Sequence, residues 1–405
     1  MAEFETMFTN ALLADGRRAH VVVDDGHIAA VLPEDQLVPA VRQTIDLDGA
    51  MLVPGFVEGH IHLDTSFYGD AWKPHLPNTN GFDVHERVAF QNQNMANAAP
   101  MAERARNQLD LCIAQGSTSM RSHVMVDGTV GLGHLESLLA VREDYRHLID
   151  IQFCAFPQTG ILYTPGTAEL LDEAIAMGCD LVGGLDPATF DRDVERHLDV
   201  VFGIAERRGV DVDIHLHDAG TLGVFEIEQI AARTRALGME GHVAVSHAYG
   251  LGDIPIEMQK KAAGMLAASG VAIMTNAPGS YSFPPVAILR QAGATVFSGS
   301  DNIRDSWWPY GDGDMLGRAN MIGYRSGFYE DHQLDMAFDI VTNGGAKALR
   351  LKDYGIVEGA RADFVTFRAQ HVAEAVVAVP RPRSVYKAGK LIAQDSKVLS
   401  AASNP

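Results

Sequence analysis

Apolar strand-like segments alternate with helix-like segments through the middle of the chain, from about residue 55 to about residue 350. Eight segments resemble buried strands: Leu52–Val57, Thr118–Val126, Ile149–Phe156, Leu181–Gly184, Val212–His215, Val243–His247, Val271–Asn276 and Thr295–Ser300. Helix-like stretches separate them, among them Met101–Ala114, Leu135–Glu143, Ala168–Met177, Val194–Arg208, Glu226–Leu237, Pro255–Ser269 and Pro284–Ala292. This alternation predicts an α/β fold with a parallel sheet, either a (β/α)8 barrel of the TIM type or a doubly wound sheet.

Both ends of the chain carry short strand-like segments instead. His20–Val23 and His27–Val31 flank an Asp-Asp-Gly turn, which predicts a hairpin. Near the other end, short strands are predicted at Asp363–Phe367, Ala375–Val379, Ser384–Lys387 and Lys390–Ala393. Because neither end is long enough to bury a core alone, we expect one composite β-sandwich domain from residues 1–54 and 355–405. The barrel is then expected to span residues 55–354.

Ligand-type side chains stand at the ends of four predicted strands. His60 and His62 follow the first strand, and their i, i+2 spacing points both to one face. His215 and His247 end the fifth and sixth strands, and Asp301 follows the eighth. Polar residues at the carboxyl ends of many strands favour the barrel, where those ends meet at one mouth. Each residue alone is more often a simple polar group, so the prediction of a metal site rests on their joint occurrence.

Charge and cysteine content narrow the classes of partner and compartment. The formal net charge is −20, which disfavours binding to phosphate backbones and anionic lipid. No apolar run reaches the length of a membrane span, and the first residues lack the features of a signal peptide. The three cysteines, Cys112, Cys154 and Cys179, lie in apolar surroundings. From the cysteines we expect buried thiols in a reducing compartment, the cytoplasm. From the net charge we expect no nucleic-acid or membrane partner.

The motifs around these residues resemble the amidohydrolase superfamily, and within it the cytosine deaminase branch and the N-isopropylammelide isopropylaminohydrolases. The resemblance covers nearly the whole chain, and its longest motifs are Phe156–Gly160, Cys179–Ala188, His215–Val224, Ser246–Ala248, Ser300–Trp307 and Gly311–Met315. It implies one divalent metal ion per subunit, Zn²⁺ first and Fe²⁺ as the alternative, held by His60, His62, His215 and Asp301. No lysine occurs between Lys73 and Lys260, so the carboxylated lysine that bridges two metals in related enzymes is unavailable.

The resemblance also implies roles in catalysis. Asp301 is expected to take a proton from the attacking water and to deliver one to the leaving nitrogen. His247 is expected to orient that water or to stabilise the tetrahedral charge. An amine leaves poorly unless it is protonated, and His217 and Asp218 are the two candidates for a second proton donor.

Substrate contacts are expected from Gln158, Trp307 and Asp218. The amide of Gln158 can donate to and accept from a heterocycle edge, and the indole of Trp307 can stack on a flat ring. Two departures from the relatives bear on the substrate. Cytosine deaminases have Glu where this chain has Asp218, and the isopropylaminohydrolases have Lys where it has Thr65.

These features predict a hydrolase acting on carbon–nitrogen bonds. The first interpretation is a metal-dependent aminohydrolase that releases ammonia or an alkylamine from a pyrimidine- or triazine-like ring. The alternative keeps the metal and the fold but cleaves a cyclic or linear amide bond. A non-catalytic scaffold is ranked last, because such a chain should have lost ligand residues. Barrels of this kind often assemble, so we expect a homo-oligomer.

Overall fold

The computed structural model describes residues 4–36, 39–77, 79 and 84–399. Parts of the predicted terminal β-domain, namely residues 1–3, 37–38 and 400–405, lie outside the described residues. Two sheets organise the described chain, one with eight strands and one with nine. Strands of the nine-stranded sheet fall in residues 4–54 and 364–398, so both ends of the chain contribute to it.

The eight-stranded sheet is a nearly closed parallel barrel, as the sequence predicted. Its strands run in chain order: β6 (Phe56–Ile61), β7 (Ser117–Met125), β8 (Asp150–Phe156), β9 (Leu181–Leu185), β10 (Asp211–Leu216), β11 (Val243–His247), β12 (Ala272–Met274) and β13 (Val296–Phe297). The first and last strands meet where Asp301 donates its backbone N–H to the carbonyl of His60 at 2.7 Å. Gly299 permits this closure, because a Cβ there would lie 2.3 Å from the same carbonyl oxygen. An open doubly wound sheet is thereby excluded.

The nine-stranded sheet is mixed. It contains β1 (Phe4–Leu13), β2 (Arg18–Asp24), β3 (His27–Pro33), β4 (Val41–Asp46), β5 (Met51–Pro54), β14 (Phe364–Phe367), β15 (Ser384–Lys387), β16 (Lys390–Gln394) and β17 (Lys397–Val398). The predicted hairpin is confirmed, because β2 and β3 pair antiparallel around the Asp-Asp-Gly turn. Strands β5 and β14 also pair antiparallel, which joins the two ends of the chain in one sheet.

The predicted strand Leu52–Val57 is divided between the two sheets. Pro54 ends β5 in the mixed sheet and Phe56 begins β6 in the barrel, so the single strand is wrong. The division lies at Gly55, whose N–H donates to the carbonyl of Asp363, just before β14 of the mixed sheet, at 3.0 Å. A Cβ at Gly55 would lie 2.1 Å from the Thr118 hydroxyl, so only glycine fits between the two sheets here.

Twelve α-helices are described, and most of them connect barrel strands. They are α1 (Val84–Met95), α2 (Met101–Ala114), α3 (Gly133–Tyr145), α4 (Thr167–Met177), α5 (Val194–Arg208), α6 (Gly220–Ala236), α7 (Ile256–Ser269), α8 (Val286–Gln291), α9 (Met315–Ser326), α10 (Asp331–Ile340), α11 (Asn343–Ala348) and α12 (Val372–Ala378). None of these described helices combines the length and the apolar character needed to cross a bilayer.

Helix α12 occupies the place of the predicted strand Ala375–Val379, which is wrong. The side chain of His371 caps the helix by accepting from the N–H of Glu374 at 3.0 Å, and Glu374 accepts in return from Gln370 at 2.6 Å. The buried positions are Val372, Ala373, Ala375 and Val376, which have helical spacing. The run of valines predicted a strand, but the cap at His371 and the helical spacing of the buried residues favour a helix.

Candidate active site

Side chains from three strand ends of the barrel meet at one mouth. His60 lies in β6 with His62 just beyond it, His215 lies in β10, and Asp301 follows β13. The Nε2 atoms of His60 and His62 each lie 3.5 Å from Oδ1 of Asp301. The Nε2 atoms of His62 and His215 lie 3.4 Å apart. The structure therefore brings together, all buried, the four side chains that the sequence predicted as metal ligands.

This donor set fits a divalent cation. Ligand atoms about 2.05 Å from a tetrahedral ion lie about 3.3 Å from one another, close to the separations observed here. The buried Nε2 of His60 has no hydrogen-bond partner among the described residues. Burial lowers the pKa of His60 and of His215, which keeps their rings neutral, the form that binds metals. Burial alone would raise the pKa of Asp301, but His247 and the neighbouring ligand histidines hold it well below its ordinary value.

Three buried residues behind the candidate ligands orient His60. The Nδ1–H of His60 donates to the hydroxyl of Ser246 at 2.9 Å, and that hydroxyl donates to Oδ1 of Asp213 at 2.7 Å. The guanidinium of Arg121 donates to the other oxygen of Asp213 at 2.9 Å. Since Nδ1 carries the proton in this arrangement, Nε2 of His60 keeps its lone pair toward the other ligands.

His247 and Asp301 both have left-handed backbones, with φ of 73° and 59°. Such backbones cost roughly 1–3 kcal/mol each and concentrate at functional sites. His247 directs Nδ1 toward Oδ2 of Asp301 at 4.0 Å. The same oxygen accepts from the amide of Asn276 at 2.8 Å. Oδ1 of Asp301 therefore faces the candidate ligands His60 and His62, while Oδ2 faces His247 and Asn276.

A small cavity of about 40 Å³ opens above this cluster. It is lined by His62, Thr65, Phe156, Gln158, Leu185, His215, His217, His247, Asp301, Asn302 and Trp307. Gln158 and Trp307, both predicted to contact substrate, therefore lie on its wall. The indole N–H of Trp307 donates to Gln91 at 2.7 Å, which fixes the plane of the ring.

The two candidate proton donors, His217 and Asp218, have different surroundings. Asp186 accepts from the backbone N–H of His217 at 2.6 Å and lies 2.8 Å from its Nδ1, which leaves Nε2 as the ring nitrogen available to the cavity. Asp218 instead accepts from the Thr189 hydroxyl at 2.6 Å and adjoins Glu226. Asp218 is not among the cavity-lining residues, so the structure brings His217 to the site but not the carboxylate of Asp218.

Sequence reasoning missed Asp213, Ser246, Asp186 and Asn276. A signal existed for Asp213, because it lies two residues before His215 on the same face of β10. No comparable signal existed for the others. Ser246 comes beside His215 only through the pairing of β10 with β11, and Asn276 reaches Asp301 across 25 residues of chain.

Comparisons with known proteins agree with this fold. A family model described as the amidohydrolase family matches residues 43–393. A curated relative, an N-isopropylammelide isopropyl amidohydrolase of Pseudomonas sp. (strain ADP), is 31% identical, with 98% of this chain and 99% of the relative covered.

Two solved structures are similar over nearly their full length. The crystal structure of N-isopropylammelide isopropylaminohydrolase from Burkholderia multivorans matches with a TM-score of 0.92 and 37% identity, covering 98% of this chain and 100% of that one. The crystal structure of 5-methylcytosine deaminase from Klebsiella pneumoniae matches with a TM-score of 0.85 and 29% identity, covering 96% of this chain and 98% of that one. The family match and the identity over nearly the full length show that the chain belongs to the amidohydrolase family.

Proposed function

We propose that this protein is a metal-dependent aminohydrolase that releases ammonia or an alkylamine from a pyrimidine- or triazine-like ring. The observation that carries the proposal is the convergence of His60, His62 and His215 on Asp301 beneath a small cavity. The names of two relatives, an N-isopropylammelide isopropylaminohydrolase and a 5-methylcytosine deaminase, support this class of substrate.

The residues of the site fit the proton transfers that the reaction needs. A divalent cation bound there supplies Lewis acidity, which makes hydroxide available at neutral pH and polarises the bond under attack. Oδ2 of Asp301 is the base that receives the proton from water and returns it to the leaving nitrogen. Asn276 holds that oxygen at 2.8 Å, and His247 on its other side stabilises the negative charge that develops on the ring.

The substrate ring and its leaving group meet different walls. Gln158 offers a donor and an acceptor to the edge of the heterocycle, and Trp307 offers a flat face to it. His217, positioned by Asp186, supplies the second proton to the leaving nitrogen. Asp218 remains a predicted contact, but its bond to Thr189 makes His217 the better supported donor.

We propose one metal ion per subunit, Zn²⁺ first and Fe²⁺ as the alternative. A second potential trio, His60, His123 and Asp213, lies nearby. The Arg121 guanidinium already neutralises Asp213 at 2.9 Å, which opposes a second cation there. The nitrogen and oxygen donors of the first cluster suit both metals, so metal analysis must decide between them.

Cytoplasmic location and assembly as a homo-oligomer belong to the same proposal. The three cysteines are buried and free, and burial raises the pKa of each thiol. Such inert thiols, with no disulfide among them, support a reducing compartment. Size-exclusion chromatography with light scattering would measure the oligomeric state.

The test is amine release from a panel of aminated pyrimidines, triazines and pterins, with the metal content measured on the same preparation. Ring opening without amine release would support the amide-cleaving alternative instead. Asp301→Asn should reduce turnover by about 10²–10⁴-fold, because the amide cannot accept a proton. Its metal content and melting temperature must be measured too, so that loss of the ion is separated from loss of the base. A nearly normal rate in this variant would contradict the proposed proton transfer.

A further inference from the structure

A second, much larger cavity adjoins the small one. Its volume is about 1160 Å³, against about 40 Å³ for the cavity above the ligand cluster. The two share four wall residues, His217, Asp301, Asn302 and Trp307, so the large cavity continues the small one. Sites that bind drug-sized ligands occupy about 300–1,000 Å³, so the large cavity exceeds what a single heterocycle requires.

Four aromatic side chains line the part of the large cavity that is not shared with the small one: Tyr249, Tyr281, Trp308 and Tyr310. The rings of Tyr249 and Tyr281 stack with centroids 6.0 Å apart and planes 11° apart. On the same wall, Trp308 and Tyr310 have centroids 5.5 Å apart. Flat π-faces presented in pairs are suited to bind another aromatic or apolar group.

The charged residues of this wall are largely engaged by the protein. Arg318 donates to the carbonyl of Asn276 at 2.9 Å, and Arg325 donates to that of Pro278 at 2.6 Å. Asp312 and Asp314 both accept from Arg381, at 3.0 and 2.8 Å.

Opposite charges also balance across the wall. Besides Asp301, the lining contains the arginines Arg87, Arg318 and Arg325 and the aspartates Asp253, Asp312 and Asp314. A neutral occupant therefore fits the large cavity better than an anion or a cation does.

The position of Asp301 decides which part of the substrate enters the large cavity. Asp301 and His217, the two proposed proton carriers, both lie on the wall shared by the two cavities. Gln158, Phe156 and Leu185 line only the small cavity, where the heterocycle is proposed to bind. A nitrogen that takes protons from Asp301 or His217 therefore stands at the opening, with its substituent toward the aromatic wall.

We propose that the large cavity binds a neutral aromatic or large apolar group on the leaving nitrogen, so that the preferred substrates are N-arylalkylamino heterocycles. This inference rests on the proposed aminohydrolase function and specifies its substrate class. The reaction is a hydrolysis: water adds to the ring carbon, the carbon–nitrogen bond breaks, and the nitrogen leaves as the arylalkylamine after protonation.

The experiment compares three compounds that share one triazine ring and carry an amino, an N-isopropylamino or an N-benzylamino group. For the metal-loaded protein, kcat/KM should be at least about tenfold higher for the N-benzylamino compound than for the amino compound, a difference typical of a filled apolar pocket. The same benzyl group attached to a ring carbon should not produce this gain.

Matched variants on α9 test the location of the group. Met321 lines the large cavity, whereas Tyr324, one turn further, is 87% exposed and does not line it. Met321→Trp should lower the ratio of kcat/KM for the N-benzylamino to the amino compound by about tenfold, mainly through KM. Tyr324→Trp should leave the ratio unchanged. Because the new indole could turn outward, Ser282→Trp on another part of the wall provides a second filling variant with the same expected result.

The outcomes separate this inference from the function on which it rests. Release of amine from the amino and N-isopropylamino compounds alone would overturn the inference and leave the aminohydrolase function standing. An equal loss of kcat/KM for all three compounds in both filling variants would identify the large cavity as an entry channel. That result would overturn the inference as well. Release of amine from none of the compounds would overturn both proposals.

Discussion

Ser246→Ala should weaken metal binding without touching a ligand. In the folded protein the Ser246 hydroxyl accepts from Nδ1 of His60 at 2.9 Å and donates to Asp213 at 2.7 Å. All three side chains are buried, so water does not replace the lost partner. The His60 ring then loses the contact that fixes its orientation and its tautomer, although Nε2 remains in place as a ligand atom.

The expected magnitude follows from these contacts. Loss of a residue that orients a ligand histidine typically costs about 10–100-fold in metal affinity, or about 1.4–2.7 kcal/mol. The metal-free protein should also lose about 1–3 kcal/mol of unfolding free energy, because a buried N–H is left without an acceptor. The two losses are measured separately, so they can be compared.

The assay is a competition titration, in which a chelator of known affinity and the metal-free protein share a limiting amount of Zn²⁺. Ser298→Ala is the matched control. Ser298 is also buried, and its hydroxyl donates to the carbonyl of Thr275 at 2.6 Å, rather than bonding a candidate ligand histidine as the Ser246 hydroxyl does. Urea unfolding of the metal-free variants gives the loss of stability for each.

Ser246→Ala should lose both stability and metal affinity, whereas Ser298→Ala should lose stability alone. Equal metal affinities in the two variants would refute the reasoning, because Ser246 would then act only as a buried hydrogen bond. A greater loss of metal affinity in Ser298→Ala would have the same meaning.

Three further predictions concern stability. Removal of the metal by a chelator should lower the melting temperature, and adding the metal back should restore it. The reason is that a ligand at about 100 times its Kd stabilises the folded state by about 2.7 kcal/mol. An unchanged melting temperature would contradict a bound cation. Burial, then the charge of Asp218, raises the pKa of Glu226 to about 9 from 4.5, so the folded protein keeps a proton that the unfolded chain loses. Its unfolding free energy should therefore fall with rising pH across that window by up to about 1.4 kcal/mol per unit, and Glu226→Gln should flatten the slope in urea titrations. Asp314→Asn should cost about 3–5 kcal/mol, because it leaves the buried Arg383 without its ion partner, and a loss below about 1 kcal/mol by urea unfolding would be inconsistent with that pair.

Regular patterns in the sequence were enough to predict the barrel and the ligand cluster. Parallel strands place their carboxyl ends at one mouth, so residues that follow strands meet there regardless of how far apart they stand in the chain. Strand-end position singled out His60, His62, His215, His247 and Asp301, and the resemblance to the amidohydrolases implied that all of these except His247 hold the metal. In the structure, the side chains of these implied ligands lie 3.4 to 3.5 Å from a neighbouring member of the set. The hairpin between β2 and β3 was equally predictable, because its turn residues act locally.

Residues that act through contacts between distant segments could not be predicted in the same way. His217 and Asp218 are adjacent in sequence, yet His217 lines the cavity beside Asp186 and Asp218 accepts from Thr189. Only the packing of the residues that follow β9 and β10 decides which partner each side chain meets. Gly55 separates two sheets because Thr118, 63 positions away, leaves no room for a Cβ.

The sequence by itself predicted the strand order and the strand-end positions of the candidate ligands, since periodicity and strand-end position are properties of short segments. The reaction class was predicted from the resemblance of its motifs to the amidohydrolases. Tertiary structure alone decided the orientation of His60 through Ser246 and the size and lining of the large cavity. These depend on the register between neighbouring strands and on loops that converge from several parts of the chain, as at Tyr249, Tyr281 and Trp308. A side chain's neighbours are set by such packing, which no local pattern records.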